Sequence, residues 1–261
     1  MEPNDSVEPN DAGDPPQHGN DLPPSPDADR PDPRSPGLEQ RPATGETRGI
    51  ALFCHGGTVA SVEPPRDRAL SLVRMRAFES FVHASAGGRG IATALVRYRV
   101  AGWNGEAADA FADVRWAISE LRDQHGTDVP IVLVGHSMGG RAALRAGAEP
   151  SVTAVCALAP WTPPAEPVMS VRNQTVVIAH GRGDRWVPAK LSADYAVRAR
   201  RAGARVARFT LPGGHGMVRR AHRWHTLALD VVLAGTGLEE MRPDIATALG
   251  RPSPEGLAVP L

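Results

Sequence analysis

Six short, largely apolar runs, most of them followed by an amphipathic stretch, constrain this chain more than any other feature. They are Ile50 to Cys54, Ile91 to Val96, Val129 to Val134, Val152 to Leu158, Thr175 to Ala179 and Arg205 to Leu211. A largely apolar strand without alternating polar positions has no solvent face, so these runs predict strands buried on both sides. Between and after them, 67–86, 106–124, 138–148, 189–202 and 216–234 read as helices. In the second, Phe111, Val114, Ile118 and Leu121 recur at the 3.6-residue period of one helix face. Buried strands alternating with helices predict an α/β fold: a mostly parallel six-stranded sheet with helices on both faces.

The first 48 residues have another character. They hold eleven acidic and four basic residues and eleven prolines, which leaves them at −7 and the remainder at +7. A segment so poor in aliphatic side chains cannot offset its chain entropy by burial, so residues 1–48 are expected to form a disordered acidic leader. The opposite charges make contact between leader and body a testable expectation. The folded domain is expected over 49–234. Residues 235–261, with Pro243, Pro252, Pro254 and Pro260, read as a short helix and a loose tail.

Several function classes are disfavoured. The acidic start Met1-Glu2-Pro3-Asn4-Asp5 lacks the pattern of a secretory signal, and no run of about 18 apolar residues occurs. A cytoplasmic protein that does not bind membranes is the expectation. Lys190 is the one lysine among 29 basic residues. The arginine cluster at 198, 200, 201, 205 and 208 has no interleaved aromatics, so it reads as a solvated face, not a nucleic-acid site. Cys54 and Cys156 lie inside apolar runs and are expected as buried free thiols. His222 and His225 lack a third ligand at metal spacing, and no phosphate-cradling glycine loop occurs, so neither a metal nor a cofactor is expected.

The chemistry centres on Gly135-His136-Ser137-Met138-Gly139-Gly140, a G-x-S-x-G pattern. Chance produces about one such match in seven shuffled chains of this composition, so its context decides. Here it sits between a buried strand and a helix, where glycines permit a sharp turn that lifts a serine hydroxyl above the sheet. The helix that follows aims its positive end at the same spot. A serine of ordinary pKa needs a histidine base oriented by a carboxylate. Asp184 stands in the loop after the fifth run and His215, flanked by Gly213, Gly214 and Gly216, in the loop after the sixth. Loops that follow parallel strands gather on one sheet edge, so Ser137, Asp184 and His215 are expected to converge.

With the elbow, the H-G-x-x-D-x-x-V-P stretch at 180–188 and the glycine-flanked His215, the sequence resembles the α/β-hydrolase superfamily over about 49–234. It is most similar to the capless, dienelactone-hydrolase and esterase-like serine hydrolases. The resemblance implies Ser137 as nucleophile, Asp184 as orienting acid and His215 as general base. It implies that the oxyanion is held by the Met138 and Gly57 amides, with Thr58 as the substitute for Gly57. The sixteen residues between the fourth and fifth runs are too few for a cap domain, and the family's first hairpin is not expected. Trp103, Trp161 and Trp186 fall in loops after strands and His136 adjoins Ser137. These four are candidate pocket residues, the tryptophans being equally suited to packing the loops.

The expected activity is hydrolysis of carboxylic esters through an acyl-enzyme, on a small-molecule ester or thioester. A thioesterase, acyltransferase or cofactor-free perhydrolase would use the same triad. A non-catalytic ligand-binding protein on this frame is the alternative of another class. Oligomeric state is not legible in the sequence.

Overall fold

The computed structural model describes residues 35–252 and 254–261. Their strands are β1 (Gly37–Arg41), β2 (Gly49–Cys54), β3 (Ile91–Arg97), β4 (Ile131–His136), β5 (Val152–Leu158), β6 (Thr175–Gly181), β7 (Arg205–Leu211) and β8 (Val259–Pro260). The helices are α1 (Leu70–Ala86), α2 (Asp109–His125), α3 (Met138–Arg145), α4 (Ala189–Arg201), α5 (Ala221–Gly235) and α6 (Pro243–Gly250). The six expected strands are β2 to β7, and each expected helix appears with ends shifted by a few residues.

One eight-stranded sheet runs β1-β3-β2-β4-β5-β6-β7-β8, parallel except for β1 against β3. Side-chain alternation divides the core into two layers. Ile50, Leu52 and Cys54 of β2 face a cluster that includes Val114 of α2, Ala142 of α3 and Tyr195 of α4. Ala51 and Phe53 face a second cluster with Phe78 of α1, Trp224 of α5 and Ile245 of α6. Helices therefore cover both faces, and this is why β2 is buried at every residue. Between β5 and β6 the chain makes only a single 3-10 turn at Met169–Val171, with no cap domain. Cys54 and Cys156 are buried free thiols, and burial pushes both up to about 12.

Three expectations need correction. First, β1 lies within the supposed leader. It has no apolar run because it is an edge strand held by charge: Glu39 takes Arg76 at 2.8 and 2.5 Å and Arg97 at 3.0 Å. The disorder expected for residues 1–34 lies outside the described residues. Secondly, the C-terminal tail is tied down. After the expected short helix, β8 pairs with β7 through Phe209–Val259 and Thr210–Pro260, too short a strand to show periodicity. Thirdly, the arginine cluster is not simply a solvated face. Arg208 is buried and donates to Ser192 Oγ and to the carbonyls of Ala189 and Leu257, while Arg200 donates to the Arg251 carbonyl. These guanidiniums satisfy backbone carbonyls where the tail crosses α4 and β7.

Candidate active site

The loops after β2, β4, β5, β6 and β7, with the first turns of α1, enclose a cavity of about 500 Å³. At its centre β4 turns into α3 through Ser137, whose φ of 56° and ψ of −117° leave the region that side chains ordinarily occupy. The glycines make that turn possible by close approach. A Cβ on Gly135 would collide with the Gly139 carbonyl, and one on Gly139 with the Cys54 carbonyl. The strained backbone is held from three sides. Ser137 N–H donates to the Leu158 carbonyl at 3.0 Å, and its own carbonyl accepts from Trp161 at 3.0 Å and Arg141 at 3.1 Å. Strain of this kind, worth about 1–3 kcal/mol, persists only where the surroundings over-determine it.

Asp184 has both carboxylate oxygens engaged. Oδ1 accepts from the Trp186 and Val187 amides, each at 2.9 Å. Oδ2 accepts from His215 Nδ1 at 2.7 Å and His180 Nε2 at 3.2 Å. Burial pushes this carboxyl up, but the bonds from His180, His215 and Val187 outweigh it and hold the group well below the usual carboxylate range. Because a carboxylate only accepts, His215 carries its hydrogen on Nδ1 and leaves Nε2 with a free lone pair. Ser137 and His215 both line the cavity, without a hydrogen bond between them. Gaps of this kind commonly tighten when substrate binds.

Two more histidines support the pair. His180 is fully buried, and its Nε2 is shared between Asp184 and the Val187 carbonyl at 3.0 Å. His136 donates from Nε2 to the His215 carbonyl at 3.1 Å, its ring centroid 4.7 Å from that of His215. Burial, with the nearby His215, pushes His136 down to about 3, so it stays neutral. Asp184 in the H-G-x-x-D stretch carried the only hint of the His180 contact.

Around Ser137, the Thr58 amide is committed to the Ala101 carbonyl at 2.8 Å, whereas no backbone carbonyl accepts from Gly57 N–H among the described residues. Met138 opens α3, where the first N–H groups have no partner within the helix. Gly57 and Met138 both line the cavity, as Ser137 does. Trp161 and Trp186 line it as well, Trp186 largely exposed with its ring centroid 5.7 Å from that of His215. Trp103 does not. It is buried 6.3 Å from Trp161 and carries the Arg141 guanidinium at 3.8 Å, so it packs loops together. Sequence reasoning missed Val59, Leu70, Ser71 and Arg74, which reach the cavity from β2's loop and α1. Nothing in the local pattern marks Leu70, Ser71 and Arg74, because only the packing of α1 brings them there.

Residues 51–175 match the alpha/beta hydrolase family. None of the curated proteins matches the chain. Among solved structures, a putative alpha/beta hydrolase of unknown function from Agrobacterium tumefaciens is 16% identical with a TM-score of 0.61, covering 79% of this chain and 93% of its own. The thermophilic esterase Est2 of Thermogutta terrifontis, with propionate bound, is 19% identical with a TM-score of 0.59, covering 79% and 92%. A serine hydrolase without lid from Xanthomonas campestris is 16% identical with a TM-score of 0.55, covering 78% and 88%.

Proposed function

We propose that this chain, which belongs to the α/β-hydrolase superfamily, is a cofactor-free serine hydrolase that cleaves carboxylic esters through an acyl-enzyme. The observation that carries the reading is the Asp184–His215 hydrogen bond beside a serine held at a strained strand-to-helix turn. His215 Nε2 takes the proton of Ser137 as Oγ bonds to the ester carbonyl carbon. The Gly57 and Met138 amides hold the oxygen that becomes negative, each such donor being worth about 10²–10³ in turnover. His215 then passes its proton to the leaving alcohol as the carbon–oxygen bond breaks. Water, deprotonated by the same nitrogen, attacks the acyl-enzyme, releases the acid and restores Ser137. Asp184 keeps the ring in the tautomer that both steps require.

Turnover of an aryl-ester chain-length series with matched thioesters tests this. Ester hydrolysis that disappears in Ser137→Ala is the expected result. Thioester cleavage with inert oxygen esters would make the chain a thioesterase, and transfer to an added alcohol or peroxide an acyltransferase or perhydrolase. Binding without turnover in the wild-type chain would favour a ligand-binding role. Turnover that survives Ser137→Ala would overturn the assignment.

A further inference from the structure

Arg74 is the one partly buried arginine among the described residues without an ion pair or a hydrogen bond. The contrast with its surroundings is sharp. Two residues further along α1, Arg76 is fixed bidentately on Glu39. Arg97 and Arg99 pair with Glu39 and Asp113, Arg141 and Arg145 share the buried Glu166, and Arg242 bridges Asp230 and Asp244.

Arg74 instead lines the cavity with Ser137 and His215. Its guanidinium lies against the loop that carries His215: a Cβ on Gly216 would stand 3.4 Å from Nη2 and 3.9 Å from Cζ. Burial disfavours its charge, and no carboxylate among the described residues offsets that penalty. Among the described residues, the charged groups facing the cavity are Arg74 and Arg185, both positive, and no acidic side chain lines it. Asp184 lies behind His215 with both oxygens engaged. The rest of the wall is mainly apolar, with Val59, Leu70, Met138, Trp161 and Val187.

We infer that the cavity selects esters with an apolar body and a second, anionic group, a carboxylate that completes the hydrogen bonds of Arg74. This rests on the hydrolase reading and adds the substrate class to it. A guanidinium presents paired donors matched to a carboxylate, and such charge-assisted bonds are strongest where water is partly excluded.

The test compares kcat/KM for two matched pairs in the full chain. A monoaryl adipate is set against its methyl-capped neutral form, and 4-carboxyphenyl butyrate against 4-carbamoylphenyl butyrate. The readout is the anionic-to-neutral ratio within each variant, so a change in general activity cancels. In the wild type one pair favours the anion. In Arg74→Gln that ratio falls about 10- to 100-fold, and in Arg74→Lys it recovers in part. A ratio equal in wild type and Arg74→Gln for both pairs would overturn the inference. Calorimetry of monomethyl adipate on Ser137→Ala reads the anion site without turnover. A Kd weakened tenfold or more by adding Arg74→Gln supports the site, and no binding or an unchanged Kd refutes it. Labelling of Ser137 by a fluorophosphonate reports the hydrolase reading separately, so the failure of either is distinguishable.

Discussion

Replacing Asp184 by Asn poses a hydrogen-bonding problem with no complete solution. The carboxylate accepts four bonds, two at Oδ1 from the Trp186 and Val187 amides and two at Oδ2 from His215 and His180. An asparagine has one acceptor oxygen and one donor NH₂. If the oxygen keeps the loop amides, the NH₂ faces the His215 nitrogen and drives that ring to carry its hydrogen on Nε2. The lone pair needed to deprotonate Ser137 is then gone. A wrong tautomer of this kind costs about 10⁴ in rate, or about 5.4 kcal/mol at 1.36 kcal/mol per decade. If the amide instead flips, the NH₂ meets two backbone N–H groups and the 184–187 turn loses its acceptor. The first arrangement keeps more bonds, so the expected variant is folded and slow. Aryl-ester kcat/KM with parallel thermal melting measures both. A rate within tenfold of wild type, in a chain that still melts cooperatively, would refute the role given to Asp184.

Other outcomes follow from the same geometry. Ser137→Gly should abolish turnover yet raise stability by about 1 kcal/mol, because glycine adopts φ 56° and ψ −117° without strain; denaturant unfolding reads it. Gly139→Ala should destabilise by about 1–3 kcal/mol or more, since its methyl meets the Cys54 and His55 carbonyls, and an unchanged melting temperature would contradict this. Glu166→Ala leaves two guanidiniums stacked near Trp103 without their carboxylate and should cost about 3–5 kcal/mol in unfolding free energy. The lowered pKa of Asp184 fixes the sign of a pH effect. Its contribution is fully present above the unfolded value of about 3.9 and is lost as pH falls toward the folded value. Wild type and Asp184→Asn should therefore converge in stability below pH 4, and a gap that widens there would contradict the assignment.

What the sequence disclosed depended on how local each signal is. Strands β2 to β7 are largely apolar because they are buried on both faces, and that pattern needs no knowledge of the fold. The glycines of the elbow are legible for the same reason, since their need is set by the turn itself. β1 escaped because Glu39 and its arginines hold it, and ion-pair partners 37 and 58 residues away leave no periodic trace. Arg74 and Leu70 escaped because their role depends on where α1 packs. The place of Trp103 after a strand left a cavity wall and loop packing equally open, and its contacts with Arg141 and Trp161 are those of loop packing. The solvated reading of Arg208 failed because the backbone carbonyls it satisfies belong to segments 19 and 49 residues distant.

In the proposed mechanism Ser137 is a nucleophile activated by His215, and a fluorophosphonate reads that chemistry directly. Intact mass and peptide mapping should find one adduct, on Ser137, that forms rapidly in the wild-type chain and far more slowly in His215→Ala. A wild-type chain that stays unmodified, or an adduct on another residue, would contradict the account.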